Sequence, residues 1–220
     1  MNIKQLENKL LNSIYPPTCE ICGKIGTEII CKKCETVIEG ELESKLQEYS
    51  DKEFASHLYL FEYSGIIRKK LIQYKFKKEK QLAKLFAKIM LKNERLSGFL
   101  KQHCDIIIPV PIHKKRQQKR GYNQSELILR EYIRSNKEVC IETKALYKIK
   151  NTKPQSSLDK RMRTQNIENA YQVKNKEKII GKNIALFDDI YTTGSTVEEC
   201  SKVLKQAGAK TIYIITIAKD

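Results

Sequence analysis

Residues 184–196 read IALFDDIYTTGST. Four apolar residues run into two adjacent aspartates, and small hydroxyl side chains with one glycine follow. A short apolar run bounded in this way predicts a buried strand. It hands the chain to a helix expected from about Thr196 to Gln206, and Gly208 suits a left-handed stop after that helix. TIYIITIA (211–218) supplies the next strand. Working back, DIIIPVP (105–111) is an apolar run closed by prolines, and a helix is expected from about Ser125 to Arg134. HLYLFEY (57–63) reads as a further strand, punctuated by Gly65. Leu82, Leu85, Phe86 and Ile89 recur at helical spacing and predict one buried stripe. Strands alternating with helices at short spacing predict an α/β fold, with a parallel sheet covered by helices on both faces.

In such a sheet ligands bind beyond the C-terminal ends of the strands, where Asp188 and Asp189 are expected to fall. The loop TTGST leads into a helix N-terminus, whose unpaired N–H groups and dipole favour an anion. Gly194 removes a side chain or permits positive φ. Thr192, Thr193, Ser195 and Thr196 add hydroxyl donors, so the loop is suited to cradle a phosphate. The two carboxylates would repel that phosphate and need neutral donors or a cation, and the adjacent hydroxyls of a sugar supply two donors. The whole string thus describes a site for a ribose 5-phosphate group. Its fragments have plainer readings. Ser195 and Glu198 make an S-x-x-E capping box, Asp in a strand-to-helix loop is ordinary turn chemistry, and Glu198 and Glu199 already answer the helix dipole.

The string resembles the 5-phosphoribosyl-1-pyrophosphate (PRPP) motif of type I phosphoribosyltransferases. More of the chain resembles the ComF family of competence-associated phosphoribosyltransferase-like proteins. PPTCEICG (16–23), PVPIHKKR (109–116) and RGYNQSE (120–126) occur in order, as does a Q-x2-L-x4-R-x2-N pattern at Gln155, Leu158, Arg163 and Asn166, with Ala170–Tyr171 behind it. The resemblance implies the Rossmann-like parallel sheet of those transferases, carrying a small N-terminal four-cysteine zinc ribbon. It implies that Asp188 and Asp189 hold the ribose 2′- and 3′-hydroxyls and are the catalytic residues, offsetting positive charge at the ring. Thr192, Thr193, Gly194, Ser195 and Thr196 would hold the 5-phosphate. The loop through Pro111, His113, Lys114, Lys115 and Arg116 would sit at the pyrophosphate, with Mg²⁺ riding on pyrophosphate and ribose oxygens. Gln155, Arg163 and Asn166 would belong to a cover over the site. The implied activity is pentosyl transfer from PRPP to an acceptor the sequence leaves open, linked to natural competence and DNA uptake. The competing reading is a single-stranded DNA-binding accessory that uses the fold as a scaffold, with a competence helicase as a partner class.

The basic loop HKKRQQKRG has a plainer reading as a solvated turn. Its cations, Lys119 and Arg120 included, are suited to stabilise a departing pyrophosphate.

Four of the seven cysteines lie in Cys19-x2-Cys22 and Cys31-x2-Cys34. Two such knuckles at this spacing can surround one Zn²⁺ tetrahedrally, and a segment with so little core would be folded by the metal. Cys104, Cys140 and Cys200 lack metal spacing and are expected as small buried residues. No role is assigned to His57 or His103.

The chain has 220 residues and a formal net charge of +16. The charge predicts polyanionic partners, or simply a soluble lysine-rich protein. Arg68, Lys69, Lys70, Lys75, Lys77, Lys78 and Lys80 cluster with Tyr74 and Phe76, a pattern that fits single-stranded nucleic acid if the rings stack on bases. No apolar run approaches the ~20 residues that span a bilayer, and neither a secretory pattern nor a disulfide framework is evident, so a cytoplasmic location is expected. Two domains are expected: residues 1–50, holding a short helix over 3–14 and the cysteine module, and residues 51–220. The polar stretch 39–53 reads as a linker or exposed helix.

Overall fold

The computed structural model describes residues 16–26, 29–136, 139–152 and 167–220. The expected helix at 3–14 and the segment carrying Gln155, Leu158, Arg163 and Asn166 lie outside the described residues. The chain forms two compact units, residues 1–42 and 43–220.

In the first unit, Thr18 and Ile25 pair as an antiparallel bridge around the first knuckle. Cys31 then stands at the N-cap of helix α1 (Lys32–Glu41), which places Cys34 in its first turn. The polar stretch from residue 39 is therefore not a linker throughout. It finishes α1, and after Leu42 it forms strand β1 (Lys45–Glu48) of the second unit.

The second unit is built on a five-stranded sheet in the order β1-β2-β7-β6-β3. Its strands are β1, β2 (Ser56–Glu62), β3 (Ile106–Pro109), β6 (Asn183–Tyr191) and β7 (Thr211–Lys219). The β2–β7, β7–β6 and β6–β3 pairs are parallel, and β1 is an antiparallel edge on β2. Continuous apolar runs such as Ile106–Ile108 and Ile184–Phe187 are buried on both faces, as strands covered on both sides require. On one face, Ile184, Leu186, Ile212 and Ile214 join Val197, Cys200 and Leu204 of helix α7 (Ser195–Gln206) in one apolar cluster. The remaining helices are α2 (Gly65–Phe76), α3 (Leu82–Lys92), α4 (Glu94–His103), the short α5 (Lys114–Arg120) and α6 (Gln124–Ser135). The α3 stripe is buried as its spacing predicts, at about 1.5–3 kcal/mol for each large apolar side chain. A small antiparallel ribbon, β4 (Leu146–Lys148) and β5 (Tyr171–Val173), completes the unit. No described helix is long and apolar enough to cross a membrane.

The register sets up the site. Pro109 of β3 pairs with Phe187, and β3 ends there. β6 continues beside β7, with Asp188 opposite Thr216, Ile190 opposite Ala218 and Tyr191 opposite Lys219. Both aspartates are thus strand residues, and the strand is longer than its apolar run. Ladder bonds to β7 hold this extension, so polar side chains reach a step in the sheet where β3 has already stopped. At the other end of α7, Gly208 has φ +96°. Its N–H donates to the Lys205 carbonyl and the Ala209 N–H to the Leu204 carbonyl, which is the Schellman stop expected of that glycine.

Candidate functional site

β6 delivers the chain through Thr192–Gly194 into α7. Gly194 is the N-cap residue, at φ +77°, and no side chain caps this helix end. A Cβ at Gly194 would lie 2.7 Å from Cζ of Tyr191, so the turn requires glycine on steric as well as conformational grounds. The expected capping box does not form. Glu198 instead accepts a hydrogen bond from the Glu53 N–H at 3.4 Å and stands 3.9 Å from Lys52. The first amides of an α-helix lack an intrahelical acceptor, and such a helix start suits an anion. Tyr191 is held from below by stacking on His57, with ring centroids 4.4 Å apart. His57 is fully buried and shares a 2.8 Å hydrogen bond with Thr216 Oγ1. Burial, with Lys219 nearby, pulls its pKa down to about 3 and keeps it neutral.

This loop opens into a cavity of about 400 Å³, within the range of small-molecule sites. Thr192, Gly194, Ser195 and Thr196 line it, together with Asp188 and Asp189. Thr193 does not line it; its hydroxyl pairs with that of Ser195 at 2.9 Å. From the segment expected at a pyrophosphate, Pro111 and Arg116 reach the cavity, whereas His113, Lys114 and Lys115 do not. The reason is local. HKKRQQKR is not a loop, because residues 114–120 form α5, and His113 Nδ1 accepts the Lys115 N–H at 3.3 Å at its N-cap. Helical spacing brings Arg116 and Arg120, at i and i+4, to the cavity side and turns Lys114 and Lys115 away.

The two carboxylates differ. Successive strand residues leave opposite faces. Asp188 is half-buried, and its Oδ1 accepts the Ser125 hydroxyl and the Asp189 N–H, both at 2.9 Å. Burial, then repulsion from Asp189, raises its pKa to about 7, against the opposing effects of Lys75 and the Ser125 hydrogen bond. Asp189 is only 4% exposed, and its Oδ1 pairs with Lys75 Nζ at 3.0 Å. Lys75, grouped by sequence with a basic nucleic-acid patch, is therefore a site residue. Tyr74 is fully buried and donates to the Gln124 carbonyl, while Phe76 is 66% exposed. Only the second ring is free to stack on a base.

Sequence reasoning also missed Lys148 and Tyr171, on the β4–β5 ribbon, which form another part of the cavity wall. Lys148 Nζ lies over the Tyr171 ring at 5.1 Å. Burial pulls its pKa down to about 8, with Arg116 repelling it and Asp188 opposing the shift. Three-residue strands carry no periodicity, and the only signal was Tyr171 behind the Q-x2-L-x4-R-x2-N pattern. Among the other cysteines, Cys200 is buried as expected, Cys104 is partly exposed and Cys140 is exposed.

In the first unit, the sulfur atoms of Cys19, Cys22, Cys31 and Cys34 lie within 4.8 Å of one another. Cys22 and Cys31 are 3.8 Å apart, matching the edge of about 3.8 Å of a tetrahedron with Zn–S bonds of ~2.3 Å. Cys19 Sγ accepts the Cys31 N–H at 3.4 Å. Burial and the neighbouring sulfurs push the Cys34 thiol up to about 12. A donor set of four clustered sulfurs fits zinc.

No family model matches the chain. It is 34% identical over 116 residues to competence protein F of Haemophilus influenzae, covering 52% of this chain and 50% of that protein. It is 30% identical over 151 residues to the DNA utilization protein YhgH of Escherichia coli O6:H1, covering 64% and 62%. Competence protein ComFC of Bacillus subtilis is 26% identical over 202 residues, covering 90% of this chain and 75% of that protein. The chain thus spans between half and less than two thirds of the length of the first two relatives. Among solved structures, a glutamine PRPP amidotransferase from B. subtilis, complexed with ADP and GMP, is similar at a TM-score of 0.39. That likeness carries 17% identity and covers 60% of this chain and 25% of that one. In sequence the chain is similar to the bacterial competence proteins F and ComFC and to the DNA utilization protein YhgH.

Proposed function

We propose that the second unit binds PRPP and acts as a phosphoribosyltransferase in natural competence and DNA uptake, and that the first unit is folded by one Zn²⁺. The names of its relatives support the cellular setting. One observation carries the chemistry: an uncapped helix N-terminus, two carboxylates and two arginines converge on one cavity of ligand size. The 5-phosphate takes the α7 amides and the hydroxyls of Thr192, Ser195 and Thr196. Asp188 and Asp189 take the ribose hydroxyls. Arg116 and Arg120 face the pyrophosphate, and Mg²⁺ bound to PRPP would add to the neutralisation of the leaving group. In the transfer, a bond forms from the acceptor to ribose C1, and the C1–O bond breaks with its electron pair leaving on pyrophosphate. Preorganised cations stabilise the charge that develops on the leaving group, while the aspartates stabilise the charge at the ring. Calorimetric titration with PRPP and Mg²⁺, then an assay for pyrophosphate release with candidate acceptors, tests the reading. Wild type should bind PRPP, and a double variant, Asp188→Asn with Asp189→Asn, should not. Equal binding by both proteins overturns it.

A second reading, a single-stranded DNA-binding surface on the same unit, has its own support. Phe76 is exposed beside the exposed Lys77 and Lys78, an arrangement suited to base stacking and phosphate contact. Phe76→Ala with Lys77→Glu and Lys78→Glu should weaken oligonucleotide binding and reduce its salt dependence. Unchanged affinity and an unchanged salt slope would remove this surface from consideration.

A further inference from the structure

The site described above uses only part of the segment RGYNQSE. Arg120 lines the cavity, Gly121 ends α5 at φ +92°, and the Tyr122 hydroxyl donates to the Tyr74 carbonyl. Asn123 Nδ2 donates to the Val110 carbonyl at 3.0 Å, which fixes the start of α6 to the end of β3. Ser125 meets Asp188. This leaves Gln124. Its backbone carbonyl accepts the Tyr74 hydroxyl at 2.9 Å, the residue is only 3% exposed, and it lines the cavity. Its Nε2 has no partner among the described residues, and neither does Oδ2 of Asp189. A buried polar atom left unpaired costs about 1–3 kcal/mol. Here one orphan is a donor, the other an acceptor, and both belong to side chains on one cavity.

A hydroxyl group is the chemistry that satisfies both, because it accepts one hydrogen bond and donates another. We propose that Gln124 is a specificity-determining residue that reads a ligand hydroxyl jointly with Asp189. Nε2 donates to the hydroxyl oxygen, and the hydroxyl donates to Asp189 Oδ2. Lys75 pairs with the other oxygen of that carboxylate, so Oδ2 is the oxygen of Asp189 left to a ligand. The ligand class is a sugar phosphate with free ring hydroxyls, and the inference rests on the PRPP-binding reading above. Pyrophosphate alone has no such hydroxyl and gains nothing from Gln124.

The test compares ribose 5-phosphate with inorganic pyrophosphate by calorimetry on the full chain, using wild type, Gln124→Met and Gln124→Glu. The first variant keeps length and removes the donor; the second sets a carboxylate beside Asp189. Gln124→Met should lose about tenfold in affinity for ribose 5-phosphate, the range set by a hydrogen bond to a buried group. Its pyrophosphate affinity should be unchanged, which also certifies the fold. Gln124→Glu should bind the sugar phosphate more weakly still. If Gln124→Met binds ribose 5-phosphate as wild type does, or loses both ligands equally, the role of Gln124 is overturned and the PRPP reading stands. If wild type binds no sugar phosphate, both fall together.

Discussion

Replacing Asp188 by Asn should stabilise the protein at alkaline pH. Asp188 has a folded pKa raised from its ordinary 3.8 to about 7. A raised carboxyl pKa means that the folded state holds its proton more tightly than the unfolded chain. The stability it contributes is fully present below about pH 4 and is lost as pH rises through about 7. Over that interval the full ionisation cost is about 4 kcal/mol, at 1.36 kcal/mol per pH unit. Asp188 is half-buried, so solvent screening reduces this to about 2–3 kcal/mol. Asn has the same shape, and its Oδ1 can still accept from Ser125 Oγ and the residue 189 N–H, so the change removes charge without removing those bonds. Thermal melts of wild type and Asp188→Asn, taken side by side from pH 4.5 to 8.5, isolate the effect, because contributions from other groups cancel in the difference. The curves should converge toward the acid end. By pH 8.5 the variant should melt about 4–12 °C higher, at 2–4 °C per kcal/mol for a domain of this size. Parallel curves, or a variant less stable at pH 8.5, would refute the electrostatic account of this site.

Lys75→Met removes the partner of a carboxylate that is almost fully buried. It should destabilise the protein by about 1–3 kcal/mol at neutral pH, less than a fully buried pair because Lys75 is partly exposed. It should also raise the Asp188 titration, seen as a steeper loss of melting temperature between pH 5 and 8. A loss independent of pH would contradict the pairing. Gly194→Ala places a Cβ against the Tyr191 ring at positive φ. It should cost about 1–3 kcal/mol in chemical denaturation and weaken phosphate binding at least tenfold; a neutral result would mean the loop conformation is wrong. Elemental analysis should find one zinc per chain. Cys31→Ser, or a strong chelator, should unfold the first unit, as loss of backbone amide protection in residues 16–42, while the melting of the second unit is retained.

The parallel sheet was legible because each of its parallel strands carries a continuous apolar run, and α3 because its stripe keeps a strict helical period. The lining of the candidate site was legible where residue types are rare in combination: two acids, a glycine and hydroxyls in one string do line one cavity. What the sequence concealed depends on register and tertiary contact. That β6 outruns β3 follows from where β3 stops, and nothing in IALFDD marks it. Lys75 looks like one of many lysines until α2 carries it to Asp189. Arg116 and Arg120 separate from Lys114 and Lys115 only once the basic run is known to be helical. Polar residues 45–48 showed no strand period, because β1 is an edge strand paired along a single side and only half-covered.

The energetics of the acid pair also bear on what kind of step the site serves. A carboxylate that merely accepts sugar hydroxyls gains nothing from a pKa near 7, since a neutral ligand leaves its desolvation cost in place. A developing positive charge removes that cost. The oxocarbenium-like ribosyl ring of a departing pyrophosphate is such a charge, and an ionised Asp188 beside Asp189 attracts it more strongly than it attracts the neutral ground state. Interactions that strengthen only on the way to the transition state raise the rate and leave binding little changed. Pyrophosphate release by wild type should therefore rise with pH through about 7, following Asp188 ionisation, while PRPP affinity changes less over the same range. In Asp188→Asn any residual release should be independent of pH across that window. A flat wild-type rate with a rising affinity would reverse the assignment, leaving the carboxylates as hydroxyl acceptors in a protein that binds PRPP without turning it over.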